Sequence, residues 1–445
     1  MGEVLITGGR LIDGTGAAPR PADVLLRDDE IVAVGAPGTV ATTPGLAPAD
    51  VLLIDATGKT VMPGLIDTHL HCTFDDVQSN DELFFHREPA MAALTTAQNL
   101  QKILRAGVTS FMDPDTAFGI GPSVRDAINC GVIEGPRMKT GYQALLTAVG
   151  GTAGRLIPDE GRAGYAQVVN SIDDVIMWTR RQIKYGADWI KIHATGSIPG
   201  HQGELLVWSY DEIKASCDAA HALGVPVTAH CRSDESTRVA IEAGVDLILH
   251  GSFISENTVQ LMIDKGVAVC PTFTFLANLA DYGRAVGAGV GQEDLFRGEI
   301  RATAKMMRAA YDAGVPIMCG SESGFALTPY GHWHGREMEV FVNELGLSPL
   351  EAITCGTRSG AIAMRMEGEI GTIETGRKAD VLVVDGDPSV DIRILNDKSR
   401  FTHIISRGQP VDLDRPWPSH TRIPGSKVAN WAEQSLTYDL AMQLR

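Results

Sequence analysis

The sequence predicts an α/β protein: a (β/α)8 barrel with a small β-domain built from both chain ends. Three observations lead there. Apolar runs of four to six residues recur through the middle of the chain, and helix-period segments separate them. Most of those segments close on a glycine just ahead of the next apolar run, the usual stop signal at a helix C-terminus. Short strand-and-turn patterns fill the chain before residue 62 and return after Glu367.

Length and composition allow this. The 445 residues, 44% hydrophobic and 21% charged, suffice for a large core and a smaller domain. Lys+Arg 38 against Asp+Glu 55 gives a net charge of −17, which argues against nucleic-acid and anionic-membrane partners and suits a protein acting on small molecules. No apolar run approaches membrane-helix length, and Met1-Gly2-Glu3-Val4-Leu5 lacks the basic start of a secretory signal, so a cytoplasmic location is expected. The seven cysteines are scattered, odd in number and without a Cys-x-x-Cys pair, which excludes a disulfide framework and a zinc finger.

In chain order, strands are expected at Val4–Thr7, Asp23–Leu26, Ile31–Val34 and Val51–Ile54. Val61–Ile66 reads as one buried strand, the first of the barrel. Further barrel strands follow at Gly107–Met112, Trp189–Ile192, Pro226–His230, Leu247–His250, Val267–Cys270 and Pro316–Cys319, with helix-closing glycines at 107, 186, 224, 244, 266 and 314. Ile370–Ile373, Ala379–Val384 and Thr402–Gly408 would complete the β-domain. The expected division is therefore 1–62 with 366–411 for the β-domain, 63–365 for the barrel, and a tail over 412–445. That tail turns amphipathic from Val428 to Leu444 and should pack on the barrel or on a neighbouring subunit of a homo-oligomer.

Chemistry gathers at the strand ends, where sites of this fold are built. His69 and His71 follow the first strand, two positions apart, so that both imidazoles can face one divalent cation. Lys191 lies on the strand Trp189–Ile192, His230 and His250 close their strands, and Glu322 follows Pro316–Cys319. An ammonium has no lone pair and repels a cation. A desolvated lysine loses its proton readily, and reaction with CO2 would make Lys191 a carbamate whose two oxygens can bridge two metals. Two dications against carbamate, Glu322 and a bridging hydroxide leave the charge near balance.

Several segments carry a resemblance. Val61–His71, Ile190–Gly196, Val227–His230, Leu249-His250-Gly251 and Gly371–Asp380 resemble the amidohydrolase superfamily, in its imidazolonepropionase-like and Xaa-Pro dipeptidase branch. The resemblance implies a metal-dependent hydrolase with a TIM-like barrel, a composite β-sandwich and a binuclear centre bridged by carboxylated lysine. It places His69, His71, Lys191 and Glu322 on one metal and His230 and His250 on the other.

The chain also departs from that pattern. Gly320-Ser321-Glu322-Ser323-Gly324 has a glutamate where the family has an aspartate, one methylene longer, expected to hold one metal weakly and to shuttle a proton to the leaving nitrogen. Gly150-Gly151-Thr152-Ala153-Gly154 stands where dipeptidase relatives have Gly-Gly-His-Gly, and Pro271–Leu276 replaces a segment that often carries tyrosine. Phe273, Phe275, Phe325 and Trp333 add apolar surface, which favours uncharged aryl or alkyl substrates. Gly320–Phe325 with Gly331–Glu337 looks similar to hydrolases of phenylurea and thiocarbamate herbicides such as molinate. His193 either lines the pocket or is a core histidine. His334 is a candidate contact for a substrate carbonyl or leaving group, with a plain loop residue as the alternative, and Asp113 and Asp115 have no firm role.

The expected function is hydrolysis of the C–N bond of an amide, carbamate or urea-type small molecule by a metal-bridging hydroxide. Its cofactors would be two divalent ions, zinc first, with manganese, cobalt or iron suited to the same donors. The alternatives are an Xaa-Pro dipeptidase or cyclic-amide hydrolase and, in another class, a non-catalytic metal-binding scaffold.

Overall fold

The computed structural model describes residues 2–79, 88–150, 164, 166–199, 203–420 and 431–444. Five strands open the chain: β1 (Glu3–Leu11), β2 (Arg20–Arg27), β3 (Glu30–Gly35), β4 (Val51–Asp55) and β5 (Thr60–Pro63). Two parallel ladders follow. The first joins β6 (Leu65–Asp67), β7 (Val108–Asp113) and β8 (Arg137–Thr140). The second contains β9 (Ala144–Leu146), β10 (Ala166–Val168), β11 (Ile190–His193), β14 (Val227–Cys231), β15 (Leu247–His250) and β16 (Ala268–Cys270), in the order β10-β9-β11-β14-β15-β16. Between β11 and β14, β12 (Thr195–Pro199) and β13 (Glu204–Leu206) form an antiparallel hairpin. β17 (Val381–Val384), β18 (Phe401–Ser406) and β19 (Gln409–Pro410) come last.

These last strands join the first ones in a single eight-stranded sheet, ordered β19-β18-β17-β5-β1-β2-β3 with β4 beside β1. β17 pairs antiparallel with β5, Val381 opposite Pro63 and Val384 opposite Thr60. Val4, Ile6, Val24, Ile31, Val61, Val383 and Ile405 share one buried cluster, so each end of the chain supplies apolar surface the other covers.

The run Val61–Ile66, expected as one strand, is two. It breaks at Gly64, with β5 in the eight-stranded sheet and β6 in the first parallel ladder. A Cβ on Gly64 would lie 1.9 Å from Thr109 Oγ1, so the chain passes from one sheet to the other through a gap only glycine fits. Pro316–Cys319 forms no strand but one isolated bridge, Val269 to Ile317, and Ile370–Ile373 is irregular. The six helix-closing glycines do stop their helices, all with φ between 67° and 108°.

Hydrogen bonds tie the ladders together. Asp188 N donates to Thr140 O (2.7 Å) between β8 and β11, and Thr68 N donates to Cys319 O (2.9 Å) between the end of β6 and the segment after β16. The tail folds back on its own chain: Ala432, Leu436 and Ala441 are buried in the main core, and Trp333 Nε1 donates to Leu436 O at 2.7 Å. Its helix covers Tyr438–Leu444. Residues 151–154 and the start of the expected tail helix lie outside the described residues. Among the described residues, no helix is long and apolar enough to cross a membrane.

Candidate metal centre

The candidate residues meet where the parallel strands end. β11 and β14 are in register, His193 opposite His230, and the two rings stack with centroids 4.8 Å apart. His250 pairs one position later, opposite Cys231, so alternation along the strand would turn it away from His230. A left-handed backbone at His250, φ 69°, reverses this: its ring lies 4.4 Å from that of His230 and 5.3 Å from that of His69. His69 and His71 stand 5.1 Å apart just past β6. Glu322, with φ 53°, is held against them by its own N–H, which donates to His69 O at 2.7 Å. His250, Glu322 and Thr272 (φ 56°) thus concentrate unfavourable backbone at one place.

One donor atom each from His69, His250 and Glu322 lies within 4.8 Å of the other two, and His71, Asp113 and Asp115 form a second group as tight. His250 Nε2 is buried with no hydrogen-bond partner. An orphaned buried nitrogen costs free energy that a coordinated cation would recover, and this donor set of imidazoles and carboxylate suits a divalent metal. The residues present fit such an ion. Lys191 is 1% exposed on β11.

Neighbouring groups set the imidazole tautomers. Thr272 Oγ1 donates to Cys270 O (3.2 Å) and so accepts from His69 Nδ1 (3.0 Å), leaving Nε2 of His69 bare. Asp115 holds His71 Nδ1 at 3.0 Å through one oxygen and His193 Nε2 at 3.2 Å through the other. Glu204 Oε2 lies 3.2 Å from His230 Nε2.

Burial dominates the electrostatics of these groups. It holds His69 and His250 well below the ordinary histidine value, lowers His230, and brings His193 down to about 3. These imidazoles are therefore neutral, as ligands must be. Burial also lowers the Lys191 ammonium and raises Glu322 and Asp113 to about 7 each. At His71 burial is outweighed by Asp115 and Asp113, which raise it. Burial alone would raise Asp115, but His71 and Lys191 hold it well below the carboxylate range.

Of the residues expected to meet substrate, Phe325 stands edge-on to His71 (6.1 Å) and to Phe275 (5.4 Å). Phe74 stacks on His71 at 4.2 Å, and Trp431 of the tail packs on Phe275 at 5.6 Å. His193 stacks on His230 and bonds to Asp115, and Trp333, Phe273 and His334 are engaged elsewhere inside the protein. Trp333 is fully buried between Tyr282 and Tyr438. Phe273 packs on Phe341, and its N–H donates to Glu337, whose carboxylate caps the helix Phe273–Tyr282. His334 Nε2 accepts from Gly331 N, so Nδ1 donates to Asp67 Oδ2 (2.8 Å), and Asp67 in turn accepts from Ser321 N. His334 therefore braces the loop carrying Glu322 rather than offering a free nitrogen.

Thr272, Glu204 and Phe74 are site residues that sequence reasoning missed. Thr272 follows a strand end and could have been found there. Glu204 sits on the inserted hairpin with no motif around it.

Fold and site together point to a hydrolase scaffold, and the sequence says which: the model of the Amidohydrolase family matches residues 60–411, and the chain belongs to that family. Ochratoxinase of Aspergillus niger is 27% identical over 94% of this chain and 89% of its own. A Xaa-Pro dipeptidase with bound methionine in its active site superposes with a TM-score of 0.78 at 27% identity, over 92% of this chain and 99% of its own. Molinate hydrolase shares the fold, with a TM-score of 0.78 at 23% identity over 95% of this chain and 98% of its own. Imidazolonepropionases and phenylurea hydrolase B are similar as well.

Proposed function

We propose that the chain is a metal-dependent hydrolase cleaving the C–N bond of an amide, carbamate or urea-type small molecule, with apolar or aromatic substrates favoured. The observation that carries this reading is the convergence of His69, His250 and Glu322 donor atoms within 4.8 Å of one another, beside Lys191, His71 and His230. We assign His69, His71, Lys191 and Glu322 to one divalent ion and His230 and His250 to a second, with Lys191 carboxylated. Zinc is the first choice. Such ions, when bound, polarise a carbonyl and bring the pKa of water towards neutrality.

The chain's own residues do the rest. Burial keeps the lone pairs of His69, His230 and His250 available, while Asp115 and Asp113 favour a proton on His71. Glu322, raised to about 7, is placed to take a proton from the attacking water and deliver it to the departing nitrogen, since a carrier works best with a pKa near the working pH. Phe74 and Phe325 beside His71, with Phe275 against Phe325, would supply an apolar wall for the substrate, and we add His193 to the substrate contacts. The reading includes closure of the two parallel ladders and Pro316–Cys319 into a (β/α)8 barrel over 63–365. It also takes 1–62 with 366–411 as a composite β-sandwich domain, and the protein as a cytoplasmic homo-oligomer.

The test is hydrolysis of a panel of N-aryl amides, carbamates, phenylureas and Xaa-Pro dipeptides, with and without a chelator. Turnover of an aryl amide, carbamate or urea that the chelator abolishes and zinc restores is the expected result; turnover indifferent to chelation overturns it. The similarity to a Xaa-Pro dipeptidase favours a second reading, and cleavage confined to the dipeptides would establish it.

A further inference from the structure

We propose that Glu204 and Arg232 form an orienting arm of the centre that fixes which nitrogen His230 presents to a divalent cation. The inference rests on the metal-centre reading above. The arm is the hairpin β12–β13, seated against Arg232 just past β14. Glu204 N donates to Arg232 O (3.0 Å), Arg232 N donates to Thr195 Oγ1 (3.2 Å), and a Cβ on Gly203 would lie 1.9 Å from Arg232 O. A larger residue at 203 would therefore lift the hairpin off the end of β14.

From that seating Glu204 reaches the ring of His230. Its Oε2 lies 3.2 Å from Nε2 and accepts the Thr195 hydroxyl at 2.8 Å. Its other oxygen faces Arg232 Nη1 at 3.7 Å. The rest of the guanidinium is clamped: Nη2 and Nε donate to the two oxygens of Glu299 at 2.7 and 3.2 Å, and the Ser252 hydroxyl donates to Glu299 at 2.6 Å. Five side chains from four segments, Ser252, Glu299, Arg232, Glu204 and His230, thus form one hydrogen-bonded and ion-paired line.

A carboxylate accepts and does not donate, so Nε2 of His230 carries the hydrogen and Nδ1 keeps the lone pair. Glu204 also brings negative charge against the imidazole, which strengthens the ring as a donor. His69 and His71 are oriented through Nδ1 by Thr272 and Asp115, and His230 is oriented from its opposite nitrogen. Glu204 is a positioning residue in this scheme, and Arg232 positions Glu204.

The test compares wild-type protein with Glu204→Leu, Glu204→Gln and Arg232→Met. Zinc affinity is read by chelator competition, ion count by elemental analysis, and ligand geometry by the visible absorption of cobalt-loaded protein. Glu204→Leu should weaken the more weakly held ion about 10- to 100-fold and alter the cobalt spectrum. Glu204→Gln, which keeps an acceptor oxygen, should recover most of the affinity, and Arg232→Met should shift in the same direction as Glu204→Leu by a smaller factor. Wild-type affinity and spectrum in Glu204→Leu overturn the inference, as does equal loss in the Leu and Gln variants. Wild-type protein that takes up no ion overturns the metal-centre reading itself and this inference with it.

Discussion

At Glu322 the backbone turns left-handed and its N–H clasps His69 O, so the carboxylate stays within the donor cluster although it is one methylene longer than the family's aspartate. Burial raises it to about 7, where it can both accept and release a proton. Glu322→Gln keeps the shape and removes the proton carrier, and kcat should fall about 10²- to 10⁴-fold. The check is steady-state kinetics on protein whose metal content is verified. Unchanged kcat would leave Glu322 a bystander. His69, His71, His230, His250 and Glu322 could be picked out as candidates in the sequence because each ends or follows an apolar run, and Lys191 because it interrupts one. Asp115, Thr272 and Glu204 were much less so, because what each does depends on a partner far along the chain: His71 lies 44 and His69 203 positions away from Asp115 and Thr272.

The elements were read well where a local rule governs them. Glycine stops the helices because a left-handed residue ends each one, and β7, β11, β14, β15 and β16 were found within a residue or two, whereas the short strands β8, β9, β10, β12 and β13 were not anticipated. Two failures have physical causes. Gly64 splits an apolar run because the break depends on Thr109, a residue on another strand. Pro316–Cys319 reads as a strand, yet apart from the bridge to Val269 its backbone bonds to Cys355 and Thr68, in an irregular ladder. Gly64→Ala should overpack this junction and lower stability by about 1–3 kcal/mol. Urea unfolding of the variant decides it, and a shift in midpoint too small to distinguish from wild type would mean that Thr109 gives way.

For the whole molecule, the two chain ends were expected to meet because neither alone could bury a core, and β5 pairing with β17 is how they do so. The parallel ladders carry the ligands at one end, and the tail returns to cover Trp333 and Phe275 beside that end. The proposed function depends on six side chains from five segments holding divalent ions together. The most direct measurement is the ion count per chain, by elemental analysis, in wild-type protein and in Lys191→Met. A two-ion centre bridged by Lys191 predicts two ions in the wild type and one or none in the variant, with hydrolysis lost alongside. An unchanged count in Lys191→Met, or a metal-free wild type that still cleaves its substrate, would contradict it.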